Sequence, residues 1–249
     1  MYLTRAYLNP RRDGAQRLLA SPHRMHAATL ASFPEQPVPA PSARGRVLWR
    51  LDADNPHRPV LWIVSPARPD LTHIIETAGW PHADTPQWES RPYEPLLQRL
   101  AAGQRYAFRL TANPTRQLKG DPSPANGASA PGPLQPRGKR VPHATVHHQL
   151  DWLAQRAEHA GFRLLPSSAP LPDSGEHAIQ VELRERATAR FRKSDSERRV
   201  TIVRTTYVGA LEVSNADSLR HVLSQGLGHA RAYGCGLLTL ASLNPSAPR

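Results

Sequence analysis

Two stretches of the chain are built alike and close on the same dipeptide. Tyr2-Leu3-Thr4-Arg5-Ala6-Tyr7-Leu8 runs into Asn9-Pro10, and Tyr106-Ala107-Phe108-Arg109-Leu110-Thr111-Ala112 runs into Asn113-Pro114. Both read as strands, and Asn-Pro stops both, because proline has no N–H for a ladder and disfavours helix in the residue before it. Helices and further strands follow each. After the first come short helical stretches over 15–20 and 22–31. Ser21 is suited to cap the free N–H groups of the second, and Pro22 is tolerated at its first position. The proline-punctuated stretch 33–43 reads as loop. The apolar runs 46–52 and 60–64, joined through Asn55-Pro56, read as a hairpin. After the second stop, Val146, Leu150, Leu153 and Ala157 recur near helical spacing over 146–160, with Gly161 as the stop and Trp152 and Leu153 in the apolar stripe. Strands are predicted over 162–165, 178–183 and 200–213, then a helix from Ala216 to Gln225 and a terminal strand over 237–240. Strand, helix, strand, strand, helix, strand is the ferredoxin-like order. The expectation is an α+β chain of two tandem ferredoxin-like domains, residues 1–92 and 93–249, and 249 residues suffice for two cores. The Pro-, Gly-, Ala- and Ser-dominated segment 120–138 cannot build a core and is expected to be a mobile loop.

Charge narrows the partner. Thirty-two Lys and Arg against twenty Asp and Glu leave a formal charge of +12, which makes a polyanion the default ligand. No apolar run approaches the roughly 18 residues of a membrane-spanning helix. Cys235 is the single cysteine, so neither a disulfide framework nor a cysteine zinc site is available; with no signal peptide in view, a reducing cytoplasm fits. His143, His147 and His148 cluster without a Cys or carboxylate partner at ligand spacing, so no metal and no other cofactor is expected. Between Arg184 and Arg204 lie eight basic residues against three acids: Arg184, Arg186, Arg190, Arg192, Lys193, Arg198, Arg199 and Arg204. Alternation around Phe191 and the turn formers Ser194-Asp195-Ser196 predict a hairpin with a charged face, tracking phosphates in or along an RNA groove. The alternative is a solvated edge strand whose charges prevent aggregation. No aromatic RNA-stacking motif of the RNP type appears on the strands.

The run Gln225-Gly226-Leu227-Gly228-His229-Ala230-Arg231-Ala232-Tyr233-Gly234-Cys235-Gly236 leads into the terminal strand, with four glycines in eleven residues. Such a loop can turn its N–H groups outward around an anion, with His229 and Arg231 adding hydrogen bonds and charge; it can equally be a plain turn into a buried strand.

Taken in order, Tyr2-Leu3-Thr4, Met25-His26, Leu30-Ala31-Ser32-Phe33-Pro34, Phe108-Arg109-Leu110-Thr111-Ala112-Asn113-Pro114, Gly138-Lys139-Arg140-Val141-Pro142, Trp152-Leu153 and Gly234-Cys235-Gly236-Leu237-Leu238 resemble the CasE family, the CRISPR-associated endoribonucleases of type I-E systems. The resemblance spans essentially the whole chain. It implies two tandem ferredoxin-like domains that bind the stem-loop of a CRISPR repeat. It also implies one metal-independent cut at the 3′ base of the stem, leaving a 2′,3′-cyclic phosphate and a 5′-hydroxyl. The enzyme is then expected to stay on its crRNA among the other subunits of Cascade, with no membrane and no small-molecule cofactor involved.

The same resemblance places the catalytic histidine at His26. A histidine suits either proton transfer of RNA cleavage, and a place early in its helix favours the neutral, base form. Two departures stand out. Some relatives carry tyrosine where this chain has His23, which could transfer the second proton, contact phosphate or face solvent. A relative's helix can also carry a lysine after the histidine, where Ala27, Ala28, Thr29, Leu30 and Ala31 carry no charge. Arg24, nearest in sequence, and Arg231, where lysine is common, are the candidates for stabilising the phosphorane; His229 stands where proline is frequent. These departures keep alive an alternative, a non-catalytic subunit that holds the crRNA hairpin.

Overall fold

A computed structural model describes residues 1–33, 45–117, 140–170, 177–192 and 199–243. The first half runs β1 (Tyr2–Tyr7), α1 (Asp13–Leu19), α2 (Pro22–Leu30), β2 (Leu48–Asp52), β3 (Val60–Ser65), α3 (Thr72–Ala78) and β4 (Trp88–Pro92), followed by α4 (Glu94–Arg99). Its antiparallel sheet has the order β2-β3-β1-β4. The second half follows with β5 (Arg105–Ala112), β6 (Thr115–Gln117), β7 (Arg140–Pro142), α5 (Val146–Ala157), β8 (Phe162–Leu164), β9 (Pro166–Pro170), β10 (His177–Ile179), β11 (Val181–Arg192), β12 (Arg199–Val213), α6 (Ala216–Gln225), a 3-10 turn (Arg231–Tyr233) and β13 (Leu238–Ala241). Its main sheet, β11-β12-β5-β13, repeats the first sheet's order, so the α+β, tandem ferredoxin-like architecture stands.

Local chemistry accounts for the elements that were legible. The Ser21 side chain accepts from the Arg24 N–H at the head of α2, with Pro22 in its first turn. Trp152 and Leu153 are buried on α5, Trp152 stacked on Tyr207, whose hydroxyl donates to the Gln149 carbonyl at 2.9 Å. One predicted strand is corrected: 178–183 is the end of β10 and the start of β11, broken at Gln180. There the Gln180 N–H turns back to the Leu165 carbonyl, and the Gln180 carbonyl accepts from Ala210. The excursion separates β8 and β11, which pair with successive parts of β12. The loop expected over 33–43 lies, beyond Phe33, outside the described residues, as does the segment 120–138. No helix among the described residues is long and apolar enough to cross a membrane.

The first sheet is buried on both faces. Ala6, Trp49, Leu61 and Ile63 pack against α1, α2 and α3 in one core, with Met25 and Ile74. The alternate residues Leu48 and Val64, with Leu3 and Trp62, join the second half's core around Phe108, Leu110, Trp152 and Leu238. Arg50, on the Leu48 face and 2% exposed, locks that junction. It donates to both carboxylate oxygens of Asp52 (2.7 and 2.9 Å), to the carbonyls of Arg109 (2.8 Å) and Leu237 (3.2 Å), and to the Thr239 hydroxyl (2.9 Å). Arg109 in turn pairs with Asp52 and Asp54.

Candidate functional site

The first half sets two histidines on one flank of α2. Met25 and Thr29 face the core, so at 100° per residue His23 and His26 fall together on one side of that stripe and Arg24 with Ala28 on the other. Arg24 is exposed and lines a groove of about 400 Å3 with Gly14, Arg17, Ala28, His73 and Thr77, between α1, α2 and α3. The structure therefore brings His23 to His26 and leaves Arg24 on the opposite flank.

The second half closes on the histidine flank. Both α2 and β2 pack against the Arg231–Tyr233 turn. Arg46, just ahead of β2, donates its backbone N–H to the Ser224 carbonyl at 3.2 Å, which fixes that segment beside the end of α6. His26 is half-buried, and its Nδ1 is sealed from solvent without a partner among the described residues. Burial lowers its pKa below the ordinary 6.5, and the nearby charges of His23 and Arg46 lower it further, so the imidazole is neutral at pH 7. Burial also lowers the pKa of Arg231, and Arg46 again contributes. His23, His26, Arg46 and Arg231 thus form one basic cluster drawn from both halves.

The glycine-rich loop holds its arginine by packing. Of the two readings of this loop, the hydrogen bonds favour the plain turn: the N–H groups of Gly226, Leu227, Tyr233 and Gly236 bond to the carbonyls of Val222, Gly236, Ala230 and Thr111. Gly234 has φ +78°, and a Cβ there would lie 2.6 Å from the Trp49 ring. The glycine lets the turn lie flat on a buried indole of the first half. Ala230 adopts φ 61° without being glycine, so the turn that carries Arg231 is strained. His229 is exposed beside it.

The predicted basic hairpin is β11–β12, which runs past the end of β5: Ala112 pairs with Thr205, while Ala187 to Arg192 pair with Arg204 to Arg199. Strand alternation divides its faces. Phe191 packs on Tyr233, ring centroids 4.8 Å apart, and Arg204 shares that face, close enough for its charge to act on the Cys235 thiol. Arg186 and Arg190 are exposed on the opposite face. Arg184, at the bulge, meets Glu182 and Asp54. Arg192 and Arg199 are a backbone pair at the hairpin's end; Lys193 and Arg198 lie outside the described residues. The histidines heading α5 sit together and, contrary to the sequence reading, do have a carboxylate partner, since Asp151 lies one helical turn from His147 and pairs with it at 3.2 Å; among the described residues no cluster of three or more His, Cys, Asp or Glu is placed to hold a metal ion.

Arg46 is the residue that sequence reasoning missed. It stands at the edge of an apolar run and resembles a solvated strand end; only the tertiary register brings it to His26 and Arg231.

Comparison with known proteins agrees with this architecture. The sequence profile of a family described as CRISPR associated protein matches residues 1–242. The CRISPR-associated endoribonuclease Cse3 of Thermus thermophilus is 31% identical over 246 residues, covering 97% of this chain and all of that protein. Among solved structures, Cse3 bound to a 19-nucleotide RNA matches with a TM-score of 0.69 at 28% identity, over 97% of this chain and all of that one. Thermus thermophilus Cse3 bound to an RNA representing a pre-cleavage complex gives the same TM-score and identity over 96% and 98%. Cas6e of Escherichia coli str. K-12, at 19% identity and a TM-score of 0.53 over 98% and 100%, shares the fold. The chain belongs to the CRISPR-associated protein family that includes Cse3, the CasE family whose ordered motifs its sequence carries.

Proposed function

We propose that this chain is a metal-independent endoribonuclease that binds the stem-loop of CRISPR repeat RNA and cuts precursor crRNA at the 3′ base of the stem. It then remains on the mature crRNA as a subunit of Cascade, in the cytoplasm, with residues 1–92 and 93–249 as its two domains. The observation that carries the reading is the half-buried, neutral His26 facing a basic turn, in a relative of an endoribonuclease captured on pre-cleavage RNA.

The chemistry follows from the residues. The substrate's own 2′-oxygen attacks phosphorus while its proton passes to neutral His26. The bond from phosphorus to the 5′-oxygen breaks, leaving a 2′,3′-cyclic phosphate, and the leaving oxygen takes a proton from His23, the second imidazole on the flank. Arg231 supplies positive charge next to the phosphate. The exposed Arg186 and Arg190, with Arg192, Lys193, Arg198 and Arg199 of the same segment, follow the stem's phosphates, and Arg24, Arg184 and His229 extend the basic surface. The test is labelled repeat RNA incubated with the protein in EDTA, with and without a 2′-deoxy residue at the cut. Cleavage that the deoxy substitution abolishes is expected; intact RNA in a stable complex would leave only the hairpin-holding subunit.

A further inference from the structure

We propose that Arg46 is a catalytic residue that, with Arg231, grips the scissile phosphate and neutralises the charge that builds on it as the 2′-oxygen attacks. The inference rests on the nuclease reading above and names a group that the neighbourhood of His26 in sequence does not supply.

Two enclosed arginines of this chain are completed by carboxylates, whereas Arg204, half-buried with its Nε sealed, has no ion pair among the described residues. Arg50 has the Asp52 carboxylate and three further acceptors, and Arg109 has Asp52 and Asp54. Arg46 and Arg231 are half-buried too, yet neither belongs to an ion pair among the described residues, and in both Nε is sealed from solvent with no hydrogen-bond partner. The two guanidinium groups are close enough for one charge to depress the other's pKa. Two neighbouring cations withdrawn from water, with donors unsatisfied, are unfavourable unless an anion completes them. Arg46 acts on His26 as well as on Arg231, so the three side chains are neighbours, and the Nδ1 of His26 is likewise without a partner among the described residues. The missing ligand is therefore an anion bound against His26, and a phosphodiester suits the forked donors of two arginines.

Nothing else on α2 does this work. The positions after His26 are Ala27, Ala28, Thr29, Leu30 and Ala31, and Arg24 faces the other groove. During the reaction no covalent bond to Arg46 forms or breaks. It keeps its proton, and its contribution is charge and hydrogen bonds to the phosphate oxygens as the 2′-oxygen bond forms and the 5′-oxygen bond breaks. By holding a cation beside His26 it also adds to the burial that keeps that imidazole neutral.

The test is single-turnover cleavage of repeat RNA at saturating protein by wild type, Arg46→Ala, Arg46→Gln and Arg46→Lys, each first shown folded by circular dichroism. Removing one such donor typically slows chemistry about 10²- to 10³-fold, and that loss is expected for Ala and Gln, with RNA affinity falling less than about tenfold. Lys, which keeps the charge and loses the fork, should stay within about tenfold of wild type. In the neutral variants the acid limb of the rate profile should move up toward pH 6.5. Arg46→Gln, which keeps most of the side chain's volume, decides the matter if Arg46→Ala does not fold. A folded neutral variant that cuts at the wild-type rate with an unmoved acid limb would overturn the proposal, as would one whose only defect is weaker binding. If wild type itself leaves the RNA intact, the nuclease reading falls and this inference falls with it.

Discussion

Replacing Gly234 by alanine should unfold the site from within. The residue sits at φ +78°, and an added Cβ would stand 2.6, 2.8 and 3.1 Å from three ring carbons of Trp49, where carbon atoms in contact keep about 3.5–4.0 Å. Trp49 is 1% exposed and held in the first half's core, so the ring cannot step aside without disturbing its neighbours. A left-handed L-residue costs about 1–2 kcal/mol, and overpacking of this kind a further ~1–3 kcal/mol. The stiffer unfolded chain returns about 0.4–1 kcal/mol, leaving a net loss of ~1–5 kcal/mol. Urea unfolding followed by tryptophan fluorescence measures it. Gly103→Ala is the internal control: Gly103 has φ +83° but a Cβ there meets nothing within 4 Å, so that variant bears only the backbone cost. Equal losses for the two variants would refute the role assigned to the indole contact. Gly234→Ala protein that remains folded should also cut more slowly, because the same turn carries Arg231.

Four other outcomes follow from the site and the junction. His26→Ala should keep repeat-RNA affinity and lose cleavage by about 10²- to 10⁴-fold, measured in single turnover. As the proposed base, with a pKa below 6.5, His26 sets the acid limb: the wild-type rate should fall as pH drops through that pKa, and His23→Ala, which removes one of the influences that lower it, should raise the midpoint of that fall. Charge reversal at Arg190 and Arg192 should weaken binding and flatten its salt dependence with the rate at saturating protein unchanged, and an unaltered salt slope removes the hairpin from the interface. Asp52→Ala strands Arg50 without its carboxylate and should lower stability by about 3–5 kcal/mol in the same urea assay, whereas a change under about 1 kcal/mol would show that the carbonyl acceptors alone suffice.

Much of this architecture was legible because it is written in short-range patterns. Alternation stopped by Asn-Pro marked β1 and β5, Ser21-Pro22 marked α2, and the turn formers after Phe191 marked the β11–β12 hairpin. Several elements were not foreseen, among them α3, β4 and α4, and three further features escaped for physical reasons. The break at Gln180 depends on hydrogen bonds to Leu165 and Ala210, partners that no local pattern reveals. The glycines near the terminal strand left open an outward cradle or a plain turn, and it is the press of two tryptophans and Leu48 on that loop, with four of its N–H groups bonded to backbone carbonyls, that favours the turn. Arg46 was invisible because a lone arginine before an apolar run has no signature of its own; its meaning comes from Arg231, far along the chain.

The inter-half junction through Arg50 has a consequence for timing. Its guanidinium binds the first sheet to β5 and β13 at once, so the turn bearing Arg231 reaches His26 only after the longest-range pairings in the chain have formed. Contacts of such sequence separation are slow to close. A chain still collapsing carries both imidazoles on a short helix without Arg231 across from them, so on the proposed roles full cutting power arrives only with the finished tertiary structure.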